Sequence, residues 1–334
     1  MVRWIAVPLA VLIGLSVAFL FAEGILRVAG IPRRAVTLTR REAPISQGLT
    51  IFRQDKYLGW AYVPDIAVRM QFGPPRRVDL FFDVDGIRTP KDHYKFDPKK
   101  PSILFVGCSF TMGHALFYEE TVAGRMASLP QFHFQVVNLG VQGYGTDQTL
   151  IALKKFIDRF NTKMVVYTFM EGHIQRNVSS NSKPFFKLRG DQLLLRDASS
   201  ASEIVWSSRV IDCIRIFFDA KYGWFLRSRA LTRRLVMEMK KVTEAHGAKF
   251  VVINWMWNDR QASKNIFTGL DLDVINTLDE APPGWEKMIN SYDDHPIPDA
   301  NLHVARLFLK HLLEMLSGNG GPLPGALVKV NRKR

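Results

Sequence analysis

A short apolar run at residues 103–106 stops at Gly107-Cys108-Ser109 and continues as Phe110-Thr111-Met112-Gly113. A serine at the end of such a run can serve as a nucleophile if a base stands ready to take its proton. That base is ordinarily an imidazole, and the imidazole needs a carboxylate to fix its tautomer and stabilise its charged form. The stretch "SYDDHPIPDANLH" offers His295 as the base, with Asp293 or Asp294 as its orienter. Acyl transfer also needs donors for an oxyanion, which backbone N–H groups in a glycine-rich turn supply without steric obstruction. Gly143 in "GVQGYG", with the N–H of Ser109, meets that need, and "MEGHIQRN" places His173 in a third polar cluster.

Other chemistries fit less well. No Gly-Lys-Ser or Gly-Lys-Thr occurs, so a phosphate-binding P-loop is excluded. "GVQGYG" fails as a dinucleotide fingerprint, because no acidic residue follows a second strand at the right distance. His303 and His311 read as helix-surface residues. The two cysteines, Cys108 and Cys213, both sit in apolar surroundings and read as buried thiols rather than a disulfide or metal ligands. No cofactor and no metal is expected. The formal net charge of +14 comes from lysines and arginines scattered along the chain, so nucleic acid is not the expected partner.

Certain elements must hold these residues. From residue 102 the apolar runs "ILFV", "QVVNLG", "MVVYTF" and "FVVINW" are continuous rather than alternating. Strands buried on both faces have this character, as in a parallel sheet covered by helices. The first three runs start about one strand–helix–strand unit apart, and an insertion near 175–228 separates the third from the fourth. Helical patterns fill 146–160, 229–247 and 299–316; the last has Leu302, Ala305, Leu309, Leu312 and Leu316 on one face. In such a sheet, functional residues gather at the carboxyl ends of strands, where Ser109, Gly143 and His173 fall. Residues 51–101 read as short strands and turns, with "DVDG" as a turn.

The segment 4–22 carries no charge and has the length of a bilayer-spanning helix. Bulky residues run up to Ala22 with no small-residue cleavage site, so an uncleaved anchor is expected. Arg27, Arg33, Arg34, Arg40 and Arg41 follow the span while only Arg3 precedes it. Taken literally, the positive-inside rule keeps the body in the cytoplasm. The chain divides into an anchor (1–24), a juxtamembrane and β-rich extension (25–101), a main domain (102–316) and a flexible basic tail (317–334).

The motifs together resemble the SGNH (GDSL-like) hydrolase superfamily over roughly residues 102–316, and the anchor with "LGWAYVPD" is similar to a bacterial membrane-anchored branch. That resemblance implies a flavodoxin-like three-layer α/β fold with a parallel five-stranded sheet. "GCSFTMG" matches the first block and implies Ser109 as nucleophile, with Cys108 where an aspartate is usual. "NLGVQGYG" matches the second block and implies Gly143 in the oxyanion hole. "DDHPIPDANLH" matches the last, where the D-x-H form pairs Asp293 with His295. The third block departs from the family: Gly172 stands at the position of an oxyanion asparagine, and His173 is expected to donate in its place. The expected activity is hydrolysis of an acyl ester, on a glycan or lipid-linked substrate. Transfer of the acyl group to a cell-surface polysaccharide, or a degenerate membrane-tethered scaffold, are the alternatives. Relatives that modify glycans work outside the cytoplasm, which favours an extracytoplasmic domain against the arginine signal.

Overall fold

The computed structural model describes residues 2–29, 51–72, 76–129, 133–178, 183–196, 208–211, 213, 224–259 and 265–317. Most of the basic run after the first helix, part of the 175–228 insertion and all but the first residue of the 317–334 tail lie outside these residues.

Helix α1 (Val2–Val28) carries no charge from Trp4 to Ala22, with Arg3 before that stretch and Glu23 and Arg27 after it. Its Ala10–Val28 portion has a mean hydropathy of 2.0 and is unburied; among the described residues no other helix is long and apolar enough to cross a membrane. At its carboxyl end the Glu23 carboxylate accepts hydrogen bonds from Ser208 Oγ (2.9 Å) and the Val210 N–H (3.0 Å). The insertion therefore touches the end of this helix.

The strands are β1 (Phe52–Asp55), β2 (Gly59–Tyr62), β3 (Ile66–Gln71), β4 (Arg77–Phe82), β5 (Arg88–Thr89), β6 (Pro101–Gly107), β7 (Gln135–Gly140), β8 (Asn161–Met170), β9 (Phe185–Arg189), β10 (Gln192–Arg196), β11 (Lys249–Trp255) and β12 (Asp273–Asn276). Beyond α1, the helices are α2 (Ser109–Met112), α3 (Val122–Ala127), α4 (Thr146–Phe156), α5 (Gly172–Arg176), α6 (Trp224–Ala245) and α7 (Pro298–Ser317).

Five strands run parallel in the order β7-β6-β8-β11-β12. Numbered along the chain, that is the 2-1-3-4-5 order of a flavodoxin-like sheet, whose crevice opens at the carboxyl ends of the first and third strands. Side chains alternate faces. Ile103 and Phe105 of β6 join Val304 and Phe308 of α7 and Met126 of α3 on one side. Leu104 and Val106 join Leu150 and Leu153 of α4 and Leu235 and Met239 of α6 on the other. This two-sided burial is why the strands read as unbroken apolar runs.

Three expectations change. Among the described residues the sheet has eight strands, not five, because β5, β4 and β3 continue it antiparallel beyond β7. The 51–101 extension is thus part of the sheet, and no break falls at residue 101. β12 has no apolar run to announce it: "DVIN" is short and polar at both ends, yet it pairs in register with β11. The helix expected to reach residue 160 stops at Phe156 and finishes as a tighter turn over Ile157–Arg159. Within the insertion, β9 and β10 form a separate antiparallel hairpin.

Candidate active site

Ser109 opens α2, directly after β6. The helix lies so close to the strand ends that side chains are excluded there. A Cβ on Gly107 would stand 2.2 Å from Thr111 Oγ1, and one on Gly140 2.3 Å from the Met112 nitrogen. The backbone of α2 is held by side chains from neighbouring strands. Asn138 Nδ2 donates to the Thr111 carbonyl at 2.9 Å. The Arg88 guanidinium, 1% exposed, donates to the carbonyls of Met112, Gly113 (2.9 Å) and Leu116 (2.6 Å). Cys108 is a fully buried free thiol that makes no capping hydrogen bond, whereas Cys213, expected to be buried, is partly exposed.

The turn before α7 brings the base to this serine. His295 Nε2 lies 2.8 Å from Ser109 Oγ, across a sequence separation of 186. His295 Nδ1 lies 3.0 Å from Asp293 Oδ1 and 3.1 Å from the Asp293 backbone carbonyl. The imidazole packs against the Phe110 ring with centroids 5.5 Å apart. Asp294 is exposed with φ at +57°, and Asp293 is the carboxylate that reaches the ring. Asn290 Oδ1 fixes the turn by accepting from the N–H groups of Tyr292 and Asp293.

Sequence reading missed a second imidazole. His114 Nε2 lies 2.6 Å from the other Asp293 oxygen, Oδ2. Its ring stacks on that of His295 with centroids 4.1 Å apart and planes 30° from parallel. On its far side, His114 Nδ1 contacts the Gln142 side-chain amide. Asp293 therefore accepts from both imidazoles and from the His295 backbone N–H at 3.2 Å. Burial pushes the Asp293 carboxyl up, but the hydrogen bonds from His114 and His295 outweigh it and hold it well below the usual carboxylate range. Burial lowers His114, partly offset by its bond to Asp293. The sequence signal was slight: a histidine five residues after the serine, just past a helix too short to show periodicity.

His173 takes a different place from the one expected. Its side chain is fully buried on the α4/α6 side of the sheet, stacked on Tyr167 and edge-on to Phe169. Nδ1 bonds to the Tyr167 hydroxyl at 2.8 Å, and that hydroxyl in turn donates to Thr146 Oγ1. Nε2 is buried and has no hydrogen-bond partner among the described residues. Desolvation holds this imidazole neutral, well below the ordinary histidine range. The ring expected to donate to an oxyanion is thus wholly enclosed by protein.

Gly143 occupies the turn after β7 with φ at +80°, where Tyr144 N–H donates to the Val141 carbonyl. The turn is clamped by the extension. Trp60 Nε1 donates to the Gln142 carbonyl at 2.9 Å, and the Tyr62 hydroxyl accepts from the Gln142 N–H at 3.2 Å. Among the aromatic residues around and after β11, Trp255 and Phe267 are buried core residues. Trp257 is partly exposed and packs on Trp285 at 4.9 Å.

His114, Asp293 and His295 are also the group among the described residues whose donor atoms come close enough to share a metal ion. Those atoms are already engaged with one another, so an ion here would break the His295–Asp293 contact.

No family model matches the chain, and no curated protein matches it. Solved structures similar in chain course include a lipolytic protein of the G-D-S-L family from Veillonella parvula, with 12% identity, TM-score 0.37 and coverage of 63% of this chain and 97% of that one. A second, described as TesA, has 11% identity, TM-score 0.41 and the same coverages. A third is a catalytic mutant of the acetylxylan esterase Axe2 from Geobacillus stearothermophilus, with 15% identity, TM-score 0.35 and coverages of 63% and 93%. Identities and scores this low leave the chemistry of the present chain to its own geometry.

Proposed function

We propose that this chain is a membrane-anchored serine esterase of the SGNH (GDSL-like) type, with Ser109 as nucleophile, His295 as general base and Asp293 as its orienter. The observation that carries this is the 2.8 Å contact between His295 Nε2 and Ser109 Oγ, backed by Asp293 on the other ring nitrogen. With Nδ1–H donating to Asp293, Nε2 presents a lone pair to the serine hydroxyl, the tautomer that general-base catalysis needs. The 2-1-3-4-5 strand order, with Ser109 at the carboxyl end of its first strand, supports the same assignment.

Ser109 Oγ attacks the ester carbonyl as its proton passes to His295 Nε2. The tetrahedral oxyanion is met by the N–H of Ser109, which as the first residue of a helix has no intrahelical acceptor, and by that of Gly143. Collapse expels the alcohol, protonated by His295. Water, deprotonated by the same imidazole, then attacks the acyl-serine and releases the acid. Gly172 supplies no side-chain donor and His173 faces away. The site therefore works with one oxyanion donor fewer, a loss worth about 2.7–4 kcal/mol of transition-state stabilisation. The scaffold alternative is disfavoured because a degenerate site would have no need to keep its serine hydrogen-bonded to an oriented imidazole. The exposed apolar α1 supports membrane anchoring; placing the catalytic domain outside the cytoplasm rests on the resemblance to glycan-modifying relatives, against the arginines that follow the span.

Full-length protein in detergent should react with a fluorophosphonate probe, and Ser109→Ala and His295→Ala should each abolish labelling while unfolding at the wild-type temperature. Undiminished labelling of Ser109→Ala would overturn the assignment.

A further inference from the structure

We propose that His114 is a positioning residue for this site: a neutral second imidazole that holds the outer oxygen of Asp293, so that the inner oxygen stays aligned on His295. The inference rests on the esterase reading only for its kinetic consequences.

Hydrogen-bond accounting fixes the tautomer. A carboxylate oxygen can only accept, so the neutral His114 ring, 2.6 Å from Asp293 Oδ2, must carry its proton on Nε2. Nδ1 is then an acceptor, and the Gln142 side chain faces it with its amide N–H. The chain of donors runs from Gln142 to His114, from His114 to Asp293, from His295 to the same carboxylate, and from Ser109 to His295. With the Gln142 amide N–H turned to His114, every ring nitrogen of both imidazoles has a partner.

Four separate parts of the fold lock the ring. His114 follows the left-handed Gly113, and its own N–H returns to the Ser109 carbonyl at 3.0 Å. Phe72, at the end of β3, meets it edge-on with centroids 4.5 Å apart. Gln142 comes from the turn after β7, which Trp60 and Tyr62 hold in place. His295 covers the remaining face. The charged and titratable groups around it are Asp293 and His295 from the α7 turn and Arg88 from β5. The last is bound to backbone carbonyls of the loop that carries His114.

A carboxylate shared between two donors pulls less strongly on each. Removing His114 should concentrate the Asp293 charge on His295, favour its imidazolium and move the acid limb of the pH–rate profile to higher pH. Losing a group that orients a catalytic one should also cut the rate about tenfold to a hundredfold. Glutamine can place an amide N–H where His114 Nε2–H now lies; phenylalanine keeps the stacking but offers no donor.

The test compares wild type, His114→Gln and His114→Phe as full-length proteins in detergent, using the rate of fluorophosphonate labelling against pH and ¹⁵N-histidine NMR. Expected are a slower rate and an upward-shifted acid limb in His114→Phe, recovery of both in His114→Gln, and an Nε2–H tautomer for wild-type His114. An unmoved limb in His114→Phe, or an equal loss in both variants, would reduce His114 to packing and overturn the proposal. If wild type does not label at all, the esterase assignment falls, and the spectrum alone decides this one: an Nδ1–H or doubly protonated His114 sinks it.

Discussion

Arg88 and Leu116 are joined by a 2.6 Å hydrogen bond from a guanidinium on the antiparallel extension to a backbone carbonyl of the loop following the nucleophile. The same side chain reaches the carbonyls of Met112 and Gly113. Burial lowers it to about 10, so it stays charged at neutral pH. The extension thus builds part of the site.

Replacing Arg88 by Met removes a costly buried charge but takes a donor from three carbonyls: Gly113's keeps the Leu116 N–H (3.2 Å), Met112's keeps a long contact with Asn138 Nδ2 (3.5 Å), and Leu116's loses its side-chain donor. An unsatisfied buried acceptor costs about 1–3 kcal/mol, and we expect a net destabilisation in that range. Chemical denaturation should read this loss. The loop between Ser109 and His114 should slacken as well, so labelling should fall even where the variant is still fully folded.

Asp293→Asn tests the shared carboxylate. In a triad with a single imidazole, the amide leaves the base in the wrong tautomer and costs about 10⁴-fold. Here the asparagine oxygen can keep His295 while its NH₂ turns to His114, provided His114 moves its proton to Nδ1 and the Gln142 amide rotates to accept it. The expected loss is therefore smaller, about 10²–10³-fold, since the correct tautomer survives and only the negative charge is gone. Labelling rates of Asp293→Asn with and without His114→Phe check this: the double variant should fall further than either single change.

Acid should weaken the fold before Asp293 is protonated. His114 and His173 are both held neutral by burial, with folded values below the ordinary histidine value of about 6.5. Below that pH the unfolded chain takes up protons that the folded chain does not, so stability falls as pH drops through about 6.5. Asp293 adds a second window. Its folded value is depressed, so its contribution is complete above the unfolded value of about 3.9 and is lost as pH falls below it. Thermal unfolding of Ser109→Ala across pH 4–8 should show the first decline, and adding His173→Leu should flatten it.

Lys183 and Asp147 form an ion pair with side chains 4% and 0% exposed, tying the insertion to the first turn of α4. Burial pushes the Asp147 carboxyl up, and Lys183 opposes that. Lys183→Met leaves the carboxylate without its partner and should cost about 3–5 kcal/mol. The double change Lys183→Met with Asp147→Asn should recover much of it. A loss in the double variant as large as in the single one would mean that the pair does not bind the insertion to the core.

Much of the site is legible from the chain alone, for local reasons. A nucleophile at the end of a doubly buried strand needs Gly107 before it, because α2 folds back within van der Waals contact, so glycine, apolar run and serine come together in sequence. Asp293 and His295 are two residues apart, so their pairing is local too. The four long parallel strands announce themselves because burial on both faces leaves no room for polar alternation.

What only the tertiary structure decided depends on contacts between distant segments. Strand β12 forms because β11 offers it an edge, not because its own residues favour a strand. His173 lies on the buried side because of how α5 leaves β8 and because Tyr167 waits there with a hydroxyl. His114, Gln142 and Arg88 stand far from Asp293 in sequence, on elements too short or too irregular to show a pattern. Residue types and spacing determined which groups could react; the packing of β5, the β7 turn and the α7 turn around α2 decided that one carboxylate serves two imidazoles.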